Sequence, residues 1–81
     1  MDKMEEKVIG IVSSKLGINK SKITKNSHFF QDFNTDKMTI ADLVMDLENQ
    51  FGFKIPPQEI NNIQTVQDLI KIVEQNSDEI L

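Results

Sequence analysis

Few residues in this sequence have side chains of the kind that does covalent or metal chemistry. Cysteine is absent and His28 is the single histidine, so thiol nucleophiles, disulfides and a structural zinc site are excluded. The sequence has no phosphate-binding loop and no nucleophile triad. A histidine without a serine or cysteine partner is typical of a surface or capping residue, and we expect that role for His28.

One stretch has the oxygen spacing of a calcium-binding loop. Asp32, Asn34 and Asp36 occupy its first, third and fifth positions. The sixth position should be glycine and is Lys37, so the sharp turn is lost. The twelfth should be glutamate and is Leu43, which removes the bidentate ligand. The sequence therefore predicts no metal site here.

Length and charge narrow the function further. The chain has 81 residues and a net charge of −4, which allows one domain and disfavours nucleic-acid binding. No apolar run approaches the roughly 18–20 residues that span a bilayer, and the first residues lack the apolar stretch of a signal peptide. We expect a folded, cytoplasmic monomer that binds neither nucleic acid nor membranes.

The first predicted helix covers residues 3–16. Asp2 and Glu5 have the spacing of a capping box, and Gly17 follows the last apolar position, where a left-handed residue often ends a helix. The apolar residues that recur at helical spacing are Met4, Val8, Ile11, Val12 and Leu16.

The second predicted helix has the clearest apolar stripe. Asp36 or Thr35 can cap its start, and Gly52 stops it. The buried stripe comprises Ile40, Leu43, Val44, Leu47 and Phe51.

Two shorter helices follow. Pro56 and Pro57 can open a short helix, predicted over residues 58–62. Thr65 and Asp68 have capping-box spacing at the start of the last helix, which frays near Asn76. Its buried face comprises Val66, Leu69, Ile70 and Val73. The predicted domain is 1–76, followed by a flexible tail, 77–81.

About twenty residues, 17–36, separate the first two helices. A connection this long is usually functional or locally packed. Its apolar side chains predict that it is fixed to the core; they are Ile18, Ile23, Phe29, Phe30 and Phe33.

This order of elements and motifs resembles the acyl carrier protein family from about Glu5 to Gln75. The segments that carry the resemblance are Glu5-Glu6-Lys7-Val8, Lys15-Leu16-Gly17-Ile18, Phe29-Phe30-Gln31-Asp32-Phe33, Leu43-Val44-Met45-Asp46-Leu47-Glu48, Phe51, Ile55-Pro56 and Thr65-Val66-Gln67-Asp68. The resemblance implies an all-α, antiparallel four-helix bundle with one short helix and a long first loop. It also implies a non-enzymatic role in fatty-acid or related acyl metabolism.

Members of the family carry 4'-phosphopantetheine on the serine of an Asp-Ser-Leu motif, and this chain departs from that motif. The matching tripeptide is Asp36-Lys37-Met38. An amine cannot replace a hydroxyl in a phosphodiester. Thr35 and Thr39 lie two residues away, which on a helix turns the attachment point by about 200°. We therefore expect no cofactor on this chain.

The resemblance also implies that enzymes of acyl metabolism, or a regulatory protein, bind the second helix. The predicted docking face comprises Asp36, Lys37, Met38, Ile40, Asp42, Asp46 and Glu48. The family holds its acyl chain in a central cavity, and Ile60 and Leu69 stand where alanine is common. Whether that cavity persists stays open.

Two other functions stay open. The chain would be a working phosphopantetheine carrier in fatty-acid or polyketide synthesis if the natural residue at position 37 were serine. It could also be a structural subunit of a larger complex.

Overall fold

The computed structural model describes residues 3–76, and within that range the chain forms four α-helices and no β-strand. Helix α1 spans Lys3–Leu16, α2 spans Lys37–Phe51, α3 spans Pro57–Ile60 and α4 spans Val66–Asn76. The all-α fold is as predicted. Within the same range, no helix is both long enough and apolar enough to cross a membrane. The predicted tail and the Asp2 cap lie outside the described residues.

The helix boundaries follow the predicted signals closely. Asp36 caps α2, and Gly52 ends it in the left-handed conformation with φ 73°. At the start of α4 the capping box forms in both directions. The Asp68 amide donates to the Thr65 hydroxyl at 3.2 Å, and the Thr65 amide donates to the Asp68 carboxylate at 3.1 Å. The short helix α3 begins one residue earlier than predicted, because Pro57 itself takes its first position.

The core lies where α1 packs against α2 and α4. The side chains that are essentially inaccessible to solvent come from all three long helices and from the loops; the largest are Phe29, Ile40, Leu43, Leu47, Ile63, Leu69 and Ile70. Among the charged residues of the described range 3–76, Glu5 is the one that is buried, and its carboxylate lies 3.2 Å from the Lys25 ammonium. Sequence periodicity did not predict this ion pair between α1 and the long loop.

The long loop between α1 and α2 is hydrogen-bonded to the segment that precedes α4. A short 3-10 helix, Lys20–Lys22, which the sequence analysis did not predict, follows α1. His28 and Thr65 form an isolated antiparallel bridge. Around it, the Phe29 amide donates to the Gln64 carbonyl at 2.8 Å, and the Val66 amide donates to the Ser27 carbonyl at 3.0 Å. These bonds connect the loop that leads into α2 with the start of α4.

Candidate functional site at the start of the second helix

Residue 37 is placed by the loop that precedes it. The Phe29 ring is fully buried, and the Phe29 carbonyl accepts hydrogen bonds from the Thr35 amide at 3.1 Å and the Thr35 hydroxyl at 2.8 Å. The next residue, Asp36, accepts from the Thr39 amide at 2.8 Å. Hydrogen bonding from Thr39, chiefly from its backbone amide, stabilises the carboxylate and holds the pKa of Asp36 below its ordinary value of 3.8. The start of α2 is therefore fixed by its neighbours, whatever side chain residue 37 carries.

His28 has the capping role predicted for it. Its Nδ1 accepts from the Phe30 amide at 3.2 Å and from the Gln31 amide at 3.1 Å. Its own amide donates to the Asp32 carboxylate at 2.7 Å. Both His28 and Asp32 therefore stabilise the turn that begins at residue 28.

The group that α2 presents at its first position is an amine. Lys37 is exposed. Of the two neighbouring threonines, Thr35 donates its hydroxyl to the Phe29 carbonyl, and Thr39 donates its backbone amide to the Asp36 carboxylate. No free hydroxyl stands at residue 37, where a phosphate ester would need an oxygen nucleophile.

Lys37 also lines a cleft of about 350 Å³ beside α2. The cleft is bounded by the long loop, the first turns of α2, and the segment that runs from α3 towards α4. Its lining residues are Phe30, Lys37, Ile40, Ala41, Ile60, Asn61, Ile63 and Gln64. Ile60 therefore borders an open space, whereas Leu69 is fully buried in the core.

The outer side of α2 carries two exposed methionines. Met38 is 76% exposed and Met45 is 58% exposed, and among residues 3–76 they are the large apolar side chains most open to solvent. The two residues are seven positions apart, so they lie on one side of the helix with exposed Asp42 between them. Sequence reasoning missed Met45, although its spacing from Met38, opposite the buried stripe, is the signal that identifies it.

The remaining predicted docking residues have other contacts. Asp46 lies 2.9 Å from the Lys15 ammonium, and this hydrogen bond is the main reason that the pKa of Lys15 is raised above its ordinary value. Glu48 is half-buried and accepts from the Ile55 amide at 2.7 Å. Ile40 is 2% exposed. The side chain of Ile40 therefore belongs to the core and cannot take part in an outer docking face, which corrects its place in the predicted set.

Comparison with known proteins finds similarity to acyl carrier proteins along nearly the whole chain. The family model described as a phosphopantetheine attachment site matches residues 6–73. An acyl carrier protein of Rickettsia massiliae is 40% identical over 74 residues, which cover 91% of this chain and 86% of the relative.

Solved structures of acyl carrier proteins are similar to this chain as well. The crystal structure of an acyl carrier protein of Thermotoga maritima is 30% identical with a TM-score of 0.75, and the match covers 90% of this chain and 89% of that one. A Mycobacterium tuberculosis structure described as a candidate acyl carrier protein is 28% identical with a TM-score of 0.83, covering 89% and 96%. The chain belongs to the acyl carrier protein family.

Proposed function

We propose that this protein serves acyl metabolism as a docking module that binds partner proteins through α2 and carries no phosphopantetheine arm. Acyl carrier proteins are non-enzymatic carriers, and attachment of phosphopantetheine gives the family its description. The observation that carries the proposal is Lys37, an amine at the place where the family motif has a hydroxyl. The proposal is also supported by Thr35, whose hydroxyl donates to the Phe29 carbonyl, and by the position of Thr35 and Thr39, which stand two residues from the place of the family serine.

The proposed docking surface is the outer side of α2, defined here as Asp36, Lys37, Met38, Asp42, Met45 and Asp46. The exposed methionines support it, because a flexible thioether adapts to different apolar partner surfaces. Asp42 and Asp46 add negative charge that would steer a basic partner, although Lys15 partly neutralises Asp46. Glu48 contributes less, because one of its oxygens is bound to the Ile55 amide.

Attachment of a phosphopantetheine arm is tested by measuring the intact mass of the protein. The protein, Lys37→Ser and the matched control Lys54→Ser are each incubated with coenzyme A and a phosphopantetheinyl transferase. Lys54 is exposed and lies beyond the far end of α2. We expect Lys37→Ser alone to gain the mass of phosphopantetheine, since the loop would place the new hydroxyl where the family has one. A gain by the unaltered chain would overturn the proposal and restore the ordinary carrier function.

The same reaction measures docking. In the Lys37→Ser background, kcat/KM for loading by the transferase reports how well the enzyme binds the outer side of α2. We expect Met45→Lys and Asp42→Asn to lower it, and Lys54→Gln to leave it within twofold. If kcat/KM for all three variants equals that of the Lys37→Ser protein, this surface is excluded as the docking site.

The structural-subunit hypothesis makes a different prediction for purification. Steered contacts between exposed charges weaken when salt is raised, whereas a structural subunit stays bound in a fixed ratio. Partners that dissociate in high salt would support docking, and stoichiometric retention would favour the subunit. The cytoplasmic location and the monomeric state remain predictions.

A further inference from the structure

We propose that the trough between α1 and α2 binds a linear polyphosphate chain, free or as the phosphate tail of a nucleotide, and that the ammonium groups of Lys7 and Lys20 hold it. The trough is the space between the outer sides of these two helices, and its volume is about 760 Å³. The inference does not rest on the proposed function, because the wall of the trough includes neither residue 37 nor the exposed methionines.

Two antiparallel helices form the wall of the trough. Lys15 of α1 meets Asp46 of α2 at one end, where the ammonium and the carboxylate are 2.9 Å apart. At the other end, the Lys7 ammonium lies 5.9 Å from the centroid of the Phe51 ring. Lys7 and Lys15 are eight positions apart on α1, which corresponds to a trough about 12 Å long. Between its ends the wall is formed by Gly10, Ile11 and Ser14 of α1 and by Asn49 and Gln50 of α2.

A third cation stands over the middle of the trough. A Cβ added at Gly10 would lie 3.7 Å from both the Cε and the Nζ of Lys20, so the Lys20 ammonium lies against α1 at the position where that helix has no side chain. Among residues 3–76, no carboxylate lies within ion-pair distance of Lys20. An anion would therefore bind Lys20 without displacing a carboxylate of that part of the chain.

The charge around the trough differs from that of the whole protein. The net charge is −4, yet six of the nine lysines lie in residues 3–25. That segment contains two acids, and one of them, Glu5, is buried in an ion pair. The acid in the trough wall, Asp46, is paired with Lys15. The trough is therefore locally positive, and its lysines would attract an anion.

The spacing of the cations indicates a ligand with several negative charges in a line. Cations stand at both ends and in the middle of a trough about 12 Å long, so a single phosphate would contact only part of the set. The exposed side chains of Ser14, Asn49 and Gln50 add hydrogen-bond donors for phosphate oxygens. Affinity should therefore rise from phosphate to pyrophosphate to tripolyphosphate, by about two- to fourfold for each added phosphate.

The test is titration of the full chain with phosphate, pyrophosphate, tripolyphosphate and ATP, at low ionic strength and without divalent cations. Binding is followed by amide chemical shifts and calorimetry. We expect Lys20→Gln to weaken tripolyphosphate by about three- to fivefold. The matched control is Lys22→Gln, an exposed lysine of the same short helix that does not line the trough, and it should change the affinity by less than about twofold.

The comparison of ATP with tripolyphosphate identifies the source of the phosphate chain. Equal affinities would support a free polyphosphate as the ligand, because only the phosphates are then recognised. Tighter binding of ATP would support a nucleotide, whose nucleoside would contact the wall beside its phosphates.

Asp46→Asn supplies a check of opposite sign. The substitution removes the negative charge of the trough wall and releases Lys15 from its ion pair, so tripolyphosphate should bind about two- to fourfold more tightly. Glu74→Gln, on α4 and outside the trough wall, should leave the affinity unchanged. Circular dichroism establishes that each variant keeps the fold.

Three results would overturn the inference. The first is an absence of chemical-shift changes along the trough at millimolar tripolyphosphate. The second is an equal loss of affinity in Lys20→Gln and Lys22→Gln, which would mean that phosphates are attracted to lysines in general. The third is an affinity that Asp46→Asn leaves unchanged. The mass experiment on phosphopantetheine reads a different quantity, so either proposal can fail alone.

Discussion

Substitution of Glu48 tests whether this residue of α2 stabilises the fold or binds a partner. The sequence places it with the docking acids, but in the structure its Oε2 accepts from the Ile55 amide at 2.7 Å. Ile55 is 5% exposed, so little water can reach its backbone. The Glu48 carbonyl also accepts from the Gly52 and Phe53 amides, at 2.9 and 3.3 Å. One residue thus closes the end of α2 and fixes the chain that returns from it.

The two substitutions Glu48→Ala and Glu48→Gln should differ in cost. Alanine leaves the Ile55 amide without an acceptor, which costs about 1–3 kcal/mol, offset by a few tenths from the better helix propensity of alanine. Glutamine keeps a carbonyl acceptor but replaces a charge-assisted bond with a neutral one, for a cost of about 1 kcal/mol. In a domain of this size 1 kcal/mol corresponds to a Tm change of about 4–8 °C.

The assay is urea unfolding followed by circular dichroism, with Asp42→Asn as the control. Asp42 is an exposed carboxylate on the same helix, and its neutralisation should change the free energy of unfolding by less than about 0.5 kcal/mol. If Glu48→Ala also stays within 0.5 kcal/mol of the unaltered protein, water replaces the carboxylate and the reasoning is refuted. Equal losses for alanine and glutamine would show that charge, and not an acceptor, is what the site requires.

Other perturbations test the loop and the start of α2. Asp36→Ala should lower Tm at neutral pH; because the folded pKa of Asp36 is depressed, its contribution is complete above the ordinary value of 3.8 and is lost as pH falls through the folded pKa. The Tm gap to the unaltered protein should therefore narrow in acid, and a gap that is constant down to pH 2 would contradict this. Phe29→Ala should cost about 3–5 kcal/mol in urea unfolding, and Phe30→Ala distinctly less, because only Phe29 is fully buried. Lys37→Glu should raise Tm by a few degrees, since an anion in the first turn of a helix gains about 0.3–1 kcal/mol where a cation does not; a fall in Tm would show that Lys37 has a stabilising contact.

Local signals in the sequence were enough to predict where the helices begin and end. The capping residues each act within one turn of their own position, so the local sequence contains the information that sets the helix boundaries. They are Asp36, Gly52 and the Thr65–Asp68 pair. The buried stripe of α2 follows from spacing for the same reason. A prediction from local signals succeeds where the interaction itself is local.

Other contacts join residues that are far apart in the chain, and no local pattern indicates them. The Ser27 carbonyl meets the Val66 amide across 39 positions, and Glu5 meets Lys25 across twenty. The cleft beside Lys37 depends on how Phe30 and Ile60 pack, which their hydrophobicity does not specify. The burial of Ile40 was predictable from the stripe, and its inclusion in the docking face conflicted with that same pattern.

Under the proposed function, the arrangement around residue 37 would explain how a family site changes its chemistry without changing its fold. The bonds that fix this position come from Thr35, Asp36 and the Phe29 carbonyl, and none within residues 3–76 comes from the Lys37 side chain. A substitution at 37 is therefore nearly free of folding cost, whereas a substitution at any of its supports is not. Because of that asymmetry, residue 37 can differ from the family serine while the helix start, the cleft and the outer side of α2 are kept. It is also the reason that restoring serine at 37 should be sufficient to recover loading.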